Sequence, residues 1–273
     1  MNTCEFKYIK FKKGIFDTSL DATYILHLEG NGRLNNIKKQ LEKIKPTKHV
    51  FIYYNKGFKK CKKNLPVANT THDIIHSYIE IFKHSQKQKY NSIMVLEDDY
   101  IIDRELNFNE NISNINTFIS NNHHKEFMLS IGCIPILYYP SFQDHVYISR
   151  LSFATHNMVY SKKYQENIIK NEKTVYKYGD WDMYTNTCLN KYIYKTPYIY
   201  QKFGNTENQR NLYHCFGIKY IILKYLDIMK FQKNQKNAFN THYWFSFIFS
   251  VSFAIVCFYI IYILLIKYLY NIS

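Results

Sequence analysis

Three consecutive carboxylates, Glu97, Asp98 and Asp99, follow directly on the apolar run Ile93-Met94-Val95-Leu96. Crowded carboxylates repel one another unless positive charge lies between them. A hard divalent cation, Mg2+ or Mn2+, takes such oxygen ligands together with substrate phosphates. Side chains alternate along an extended strand, so Glu97 and Asp99 are expected on one face and Asp98 on the other. A buried strand that ends in acid puts this charge at the carboxyl edge of a sheet, where open α/β folds bind their ligands. The alternative is a solvated acidic loop end, and the strand context favours binding of metal and ligand. Asp99 is then the foremost metal ligand, Glu97 its partner and Asp98 a support.

The histidines are less informative. His72 and His76 stand four apart in HDIIH, on one face of an expected helix, a spacing that can bind zinc. Asp73 occupies the place where a zincin needs glutamate, so an ordinary amphipathic helix explains the pair better. His123 and His124 fall in a polar loop, and His214 is a remote candidate for a metal.

The elements that must position the acids are legible upstream. Ala22–Leu28, ATYILHL, reads as a first strand, and Gly30 to Gly32 supply a turn. Leu34, Ile37, Leu41 and Ile44 have helical spacing, and Pro46 stops that helix. Residues 49–54, HVFIYY, form a second strand. Thr70 or Thr71 is expected to cap a helix with the apolar face Ile74, Ile75, Tyr78, Ile81 and Phe82. The strand 92–96 then delivers the acids. Strand and helix in alternation argue for a parallel sheet with right-handed crossovers. Further on, 127–131 reads as a strand, 159–169 as a helix, and 192–200 as a late strand interrupted by Pro197; 201–210 is a polar loop.

At 273 residues, with 47% hydrophobic and 18% aromatic content, the chain holds one sizeable α/β domain and an appendage. The net charge is +15, yet only four of 36 basic residues are arginine: Arg33, Arg104, Arg150 and Arg210. Nucleic-acid readers rely on arginine for bidentate base contacts, so no nucleic-acid partner is expected. The densest basic cluster is Lys56, Lys59, Lys60, Lys62 and Lys63. Six cysteines form no CxxC pair, which fits a reduced compartment rather than a disulfide framework or zinc site.

Residues 1–13 carry alternating lysines and no apolar core, unlike a signal peptide. Residues 243–266 contain no charged residue and are long enough to cross a bilayer, which needs about 20 apolar residues. Tyr243 and Trp244 at one end, and Tyr268 and Tyr270 at the other, suit interfacial belts. Lys230, Lys233 and Lys236 precede this segment and Lys267 follows it, so the positive-inside rule places the large domain in the cytoplasm. The expected organisation is a domain over 1–225, a basic polar linker over 226–242, a transmembrane tail anchor over 243–266 and a short tail over 267–273.

The segment HSYIEIFKHSQKQKYNSIMVLEDDYII, residues 76–102, resembles glycosyltransferase family 25, the lipooligosaccharide and procollagen galactosyltransferase group. Members carry a helix with a Ser-His pair, a short loop and a strand ending in Leu-Glu-Asp-Asp. YILHLEGNGRLNNIKKQLEKI is similar to the family's first strand, with Arg33 starting the helix. Thr155-His156-Asn157-Met158-Val159-Tyr160-Ser161 resembles its small-residue turn, Asp182 in GDWDMY its late acidic residue, and Pro197 with Gln201 its Pro-x-x-x-Gln pattern. The likeness covers roughly residues 20–210. The sequence departs from it in reversing the pair to His76-Ser77 and in lacking several acceptor-side glycines.

This resemblance implies a GT-A-like α/β fold, a UDP-sugar donor held at Glu97, Asp98, Asp99 and Arg33, and Mn2+ or Mg2+ on Asp99 and Glu97 bridging the diphosphate. It implies inverting transfer of a hexose, galactose or glucose first, to a hydroxyl on a glycan, lipid-linked or protein acceptor. Such transfer needs a general base. Asp180 and Asp182 flank Trp181 and are the candidates, Asp182 the preferred one; the competing reading is a surface turn with a half-buried tryptophan. The rival functions are a non-catalytic membrane-anchored binder of the same fold, a metal-dependent phosphodiesterase or nuclease, and a basic membrane tether.

Overall fold

The computed structural model describes residues 4–103, 108–154, 156–201, 224–231 and 233–270. The strands are β1 (Glu5–Lys10), β2 (Ala22–Leu28), β3 (His49–Asn55), β4 (Ser92–Glu97), β5 (Tyr100–Ile102), β6 (Met128–Ser130), β7 (Ile134–Pro140), β8 (Val146–Phe153), β9 (Asn157–Ser161), β10 (Lys191–Tyr194) and β11 (Ile199–Gln201). The helices are α1 (Leu34–Lys43), α2 (Thr70–Lys87), α3 (Phe108–Asn122), α4 (Lys162–Lys170), α5 (Glu172–Lys177), α6 (Trp181–Thr185) and α7 (Gln235–Tyr270).

Nine strands form one sheet in the order β1-β3-β2-β4-β9-β6-β10-β8-β7, while β5 and β11 make a separate antiparallel pair. The expected parallel unit is present as β3-β2-β4. The sheet as a whole is mixed, because β1 runs against β3, β9 against both β4 and β6, and β8 against both β10 and β7. The strands β2 and β4 are buried on both faces, which is why they read as unbroken apolar runs. Along β4, Met94 and Leu96 join one core with Ile37, Leu41, Ile115 and Ile119; Ile93 and Val95 join another with Ile75, Tyr78, Phe82, Tyr160 and Ile168. Helices α1 and α3 thus cover one face and α2, α4, α5 and α6 the other.

Three local expectations are corrected. Residues 159–161 belong to β9, not to a helix, because Met158 and Val159 pair with β4 on one side and β6 on the other. The helix starts only at Lys162, where the Ser161 hydroxyl caps it by accepting from the Tyr164 amide. The late strand is two strands in different sheets, with Pro197 at the change of partner. The cap of α2 is Asn69, which accepts from the His72 amide at 2.8 Å, not Thr70 or Thr71. The lysine-bearing amino terminus forms the edge strand β1, whose charges suit an unpaired strand edge.

The 36-residue helix α7 is long and apolar enough to cross a membrane. It divides into two parts. Residues 235–250, which include much of the expected linker, dock one face on the domain: the Tyr243 hydroxyl accepts from the Cys133 amide at 3.4 Å, Ser246 donates to the Pro135 carbonyl at 2.7 Å, and the Tyr138 amide donates to Ser250 at 3.0 Å. Phe239 and Tyr243 complete a third apolar cluster with Cys133, Tyr138, Tyr200 and Phe231. From Val251 to Tyr270 the large apolar side chains, Ile263 apart, are exposed. Those 20 residues rise about 30 Å, the hydrocarbon thickness of a bilayer. A chain cut after residue 240 strips Tyr243, Ser246 and Ser250 from β7. It is expected to melt lower than a chain cut after residue 252, which keeps every one of those contacts; equal thermal midpoints in detergent would show that the docked half contributes nothing.

Candidate active site at the carboxyl end of β4

The register of β3, β2 and β4 brings their carboxyl ends together: Leu26 lies opposite Glu97, and His27 and Leu28 opposite Tyr54 and Asn55. The strand ends at Glu97, so Asp98 and Asp99 lie in a turn and the expected strict alternation stops there. Both aspartates reach the same cation. Arg33 at the start of α1 donates through one guanidinium nitrogen to Asp98 Oδ1 at 3.0 Å and to Asp99 Oδ2 at 2.9 Å.

Asp98 is saturated. Its Oδ2 accepts from His27 Nδ1 at 2.9 Å, the Leu28 amide at 3.1 Å and Asn31 Nδ2 at 2.7 Å. Burial alone would raise its pKa, but the hydrogen bonds from His27, Asn31 and Arg33 outweigh burial and hold the carboxyl below the usual aspartate range. Asn36 fixes the turn from below, donating to the backbone carbonyls of Asp98 and Tyr100 at 3.2 and 3.4 Å. Asp98 thereby ties the acid turn to β2 and to the start of α1.

Asp99 differs. Its Oδ2 accepts from Arg33 and, at 3.3 Å, from Gln201 at the end of β11, while its buried Oδ1 has no hydrogen-bond partner among the described residues. Burial, opposed by Arg33 and reinforced by Asp98, pushes this carboxyl up to about 6. Glu97 is also raised well above the ordinary value, first by burial and then by the charges of Asp99, Asp182 and Asp98. Its backbone amide donates to the His156 carbonyl at 2.8 Å, and the Tyr78 hydroxyl donates to Oε1 at 3.4 Å. An unpartnered buried carboxylate oxygen beside a second, partly buried acid is a cation-seeking arrangement.

Asp182, on the first turn of α6, is brought to this group, close enough for its charge to raise Glu97. The Ala154 amide donates to its Oδ2 at 3.0 Å, and Thr185 donates to its backbone carbonyl at 2.9 Å. Asp180 acts locally, capping α6 by accepting from the Met183 amide at 3.1 Å. Trp181 between them is 3% exposed, not half-buried; it stacks on Tyr78 with ring centroids 4.3 Å apart and donates to the Tyr160 hydroxyl. The path Trp181–Tyr78–Glu97 couples the short helix to the acid turn.

Several residues of the site carry no sequence signal of their own. His27 is a single polar residue in an apolar strand, Asn31 one of several polar residues in a turn, and Tyr78 reads only as core. Only the fold brings them to Asp98 and Glu97. The surface lysine cluster is also altered: Lys63 turns inward and pairs with Asp73, whose other oxygen accepts from Asn55 at 3.0 Å. His72 is used structurally, accepting from the Val67 amide at 3.2 Å and packing on Tyr176. His214 and the polar loop beyond Gln201 lie outside the described residues. Among the described residues, no group of three or more His, Cys, Asp or Glu is arranged to hold a metal unaided.

No protein-family model matches the chain, and no curated protein matches it. The site therefore stands on its own geometry, which has a consequence for stability. An unfolded aspartate titrates near 3.9, whereas Asp99 titrates near 6 when folded. The folded state then holds the proton more tightly, so Asp99 costs no stability below about pH 4 and becomes destabilising as pH rises to about 6. Asp99→Asn is expected to melt above the parent protein at pH 7 without divalent ions and to lose that advantage at pH 4; equal offsets at both pH values would contradict the burial argument.

Proposed function

We propose that the chain is a membrane-anchored, metal-dependent glycosyltransferase of GT-A-like fold that moves a hexose from a UDP-sugar to a hydroxyl acceptor. The observation that carries this reading is the unpartnered buried Oδ1 of Asp99 in an acid turn at the carboxyl end of the parallel strands. Support also comes from the resemblance of residues 76–102 to family 25, from the contacts of Arg33 and Gln201 with Asp99, and from the charge of Asp182 felt at Glu97.

The donor set consists of carboxylate oxygens, which suits Mn2+ or Mg2+. Asp99 and Glu97 would hold the ion, with donor phosphate oxygens and water completing its shell. When bound, the ion would neutralise charge on the leaving diphosphate. The protein groups do the rest. Asp98 fixes the turn through His27, Asn31 and Arg33, and Gln201 holds the second oxygen of Asp99. Asp182 takes the proton of the acceptor hydroxyl as general base, oriented by the Ala154 amide. Asp180 serves α6 as its cap. The lysines before α7 favour a cytoplasmic domain. The acceptor class that suits this placement is a membrane-near glycan, lipid-linked or on protein.

A second reading, a binder of sugar nucleotides without transfer, is favoured by one observation: Arg33 already gives the aspartates a counter-cation. Calorimetry of UDP binding to the full chain in detergent separates the two. The transferase reading expects Mn2+-dependent binding that is lost in Asp99→Ala. It expects Asp182→Asn to keep that binding while cutting release of UDP from UDP-galactose or UDP-glucose by about 100-fold or more, the usual contribution of a positioned base. Metal-independent binding with no turnover would assign the site to the binder. Asp180→Asn, by contrast, retains a capping side chain and is expected to leave both quantities within about twofold.

A further inference from the structure

Helix α7 and strand β7 run side by side in the same direction. Contacts at Cys133 and Pro135 meet Tyr243 and Ser246, and the contact at Tyr138 meets Ser250. Two more strand residues, to Pro140, advance about 7 Å, the rise of about four to five helical residues. The β7–β8 hairpin tip therefore lies alongside the exposed apolar stretch that begins at Val251. At that tip stands Phe142, fully exposed. An isolated exposed aromatic needs no explanation by itself, but this one is held outward by a built turn. The Ser141 hydroxyl donates to the carbonyls of Gln143 and Val146, at 2.9 and 2.8 Å, and accepts from the Gln143 amide at 3.0 Å.

The surroundings fit a lipid surface. Asn122 at the end of α3 donates to Gln143 Oε1 at 2.7 Å, which sets the exposed His123, His124 and Lys125 beside the tip. The amide of the exposed Lys195 donates to the His145 carbonyl on the other flank. Just before the tip, Tyr139 carries the Arg150 guanidinium over its ring and accepts from Arg150 Nε at 2.6 Å, an amphipathic pair suited to headgroup depth. On α7 itself, Trp244 and Phe245 are exposed on the face turned away from β7.

We propose that the β7–β8 hairpin tip is a second membrane contact: Phe142 inserts into the bilayer interface beside α7, with the exposed Lys125 and Lys195 at headgroup depth on the two flanks and the exposed carboxylate of Asp144 between them. The domain is then seated on the membrane at two points rather than hung from one helix, which fixes the tilt at which the acid turn faces its acceptor. The proposal rests on membrane insertion of α7, and the test separates the two. The full chain carrying Trp244→Phe keeps only the buried Trp181 as native tryptophan. Into that background Phe142→Trp or Phe258→Trp is introduced, and each protein is reconstituted in phosphatidylcholine–phosphatidylserine vesicles with or without brominated acyl chains. The expected result is a blue-shifted emission at both positions and loss of most of the added intensity in brominated lipid. Quenching at 258 with none at 142 would overturn the hairpin contact and leave the anchor standing. No quenching at either position would overturn both.

Discussion

The Arg33 guanidinium, shared between Asp98 and Asp99, is the interaction on which the site depends. It reaches from the N-cap of α1 to the turn after β4 and offsets the mutual repulsion of two carboxylates held side by side. Removing the shared cation leaves two buried carboxylates uncompensated, a kind of loss that commonly costs about 3–5 kcal/mol, whereas removing the Asp99 charge leaves Arg33 paired with Asp98. The arrangement is uneven: Asp98 is saturated by four donors, while Asp99 keeps one buried oxygen without any among the described residues. Stability is conceded at Asp99 and recovered at Asp98, a division in which the first residue is free for a ligand and the second keeps the turn in place.

A second constraint is the reversal of strand direction next to the acids. Strand β9 runs against β4, so the chain arrives at the site edge through His156, whose carbonyl accepts from the Glu97 amide. From the same corner Asn157 ties β6 to β11, accepting from the Ile131 amide and donating to the carbonyls of Gly132 and Ile199. Gly132 must be glycine, since a Cβ there would stand 2.0 Å from the Ile199 carbonyl oxygen. This close crossing sets β11 and hence Gln201 against Asp99. Phe239 of α7 packs on His156 and Tyr200, and Lys236 pairs with Asp103 at 3.4 Å. Helix α7 thus begins as part of the wall behind the site, and only beyond Ser250 does it leave the domain as an exposed apolar helix.

The acid-bearing strand, its parallel neighbours and the first two helices are legible in the sequence because their signals are local: unbroken apolar runs, helical spacing, a stop at Pro46. The mixed part of the sheet is not. There 127–131 marks β6, but β7 and β8 carry no reading, β10 is joined with β11 into one late strand, and β9 reads in part as helix until its partners on both sides are known. Of the site, the acids are visible as a block, and Asp182 through its pattern. Their division of labour is hidden, because saturation of Asp98 depends on His27 and Asn31, which lie about seventy residues away in sequence. Composition alone makes the docked half of α7 a linker and a span; its small polar residues Ser246 and Ser250, spaced one turn apart, are the available sign of a packed face.

Function at this site turns on whether Asp99 offers its buried oxygen to a divalent ion shared with a nucleoside diphosphate. Anomalous diffraction at the manganese edge, from crystals of the full chain grown with Mn2+ and UDP, tests this most directly. The predicted result is a single strong peak in coordination contact with Asp99 Oδ1, with UDP phosphate oxygens on its open side. A well-ordered acid turn with UDP bound and no manganese peak at Asp99, or with the ion held elsewhere, would contradict it.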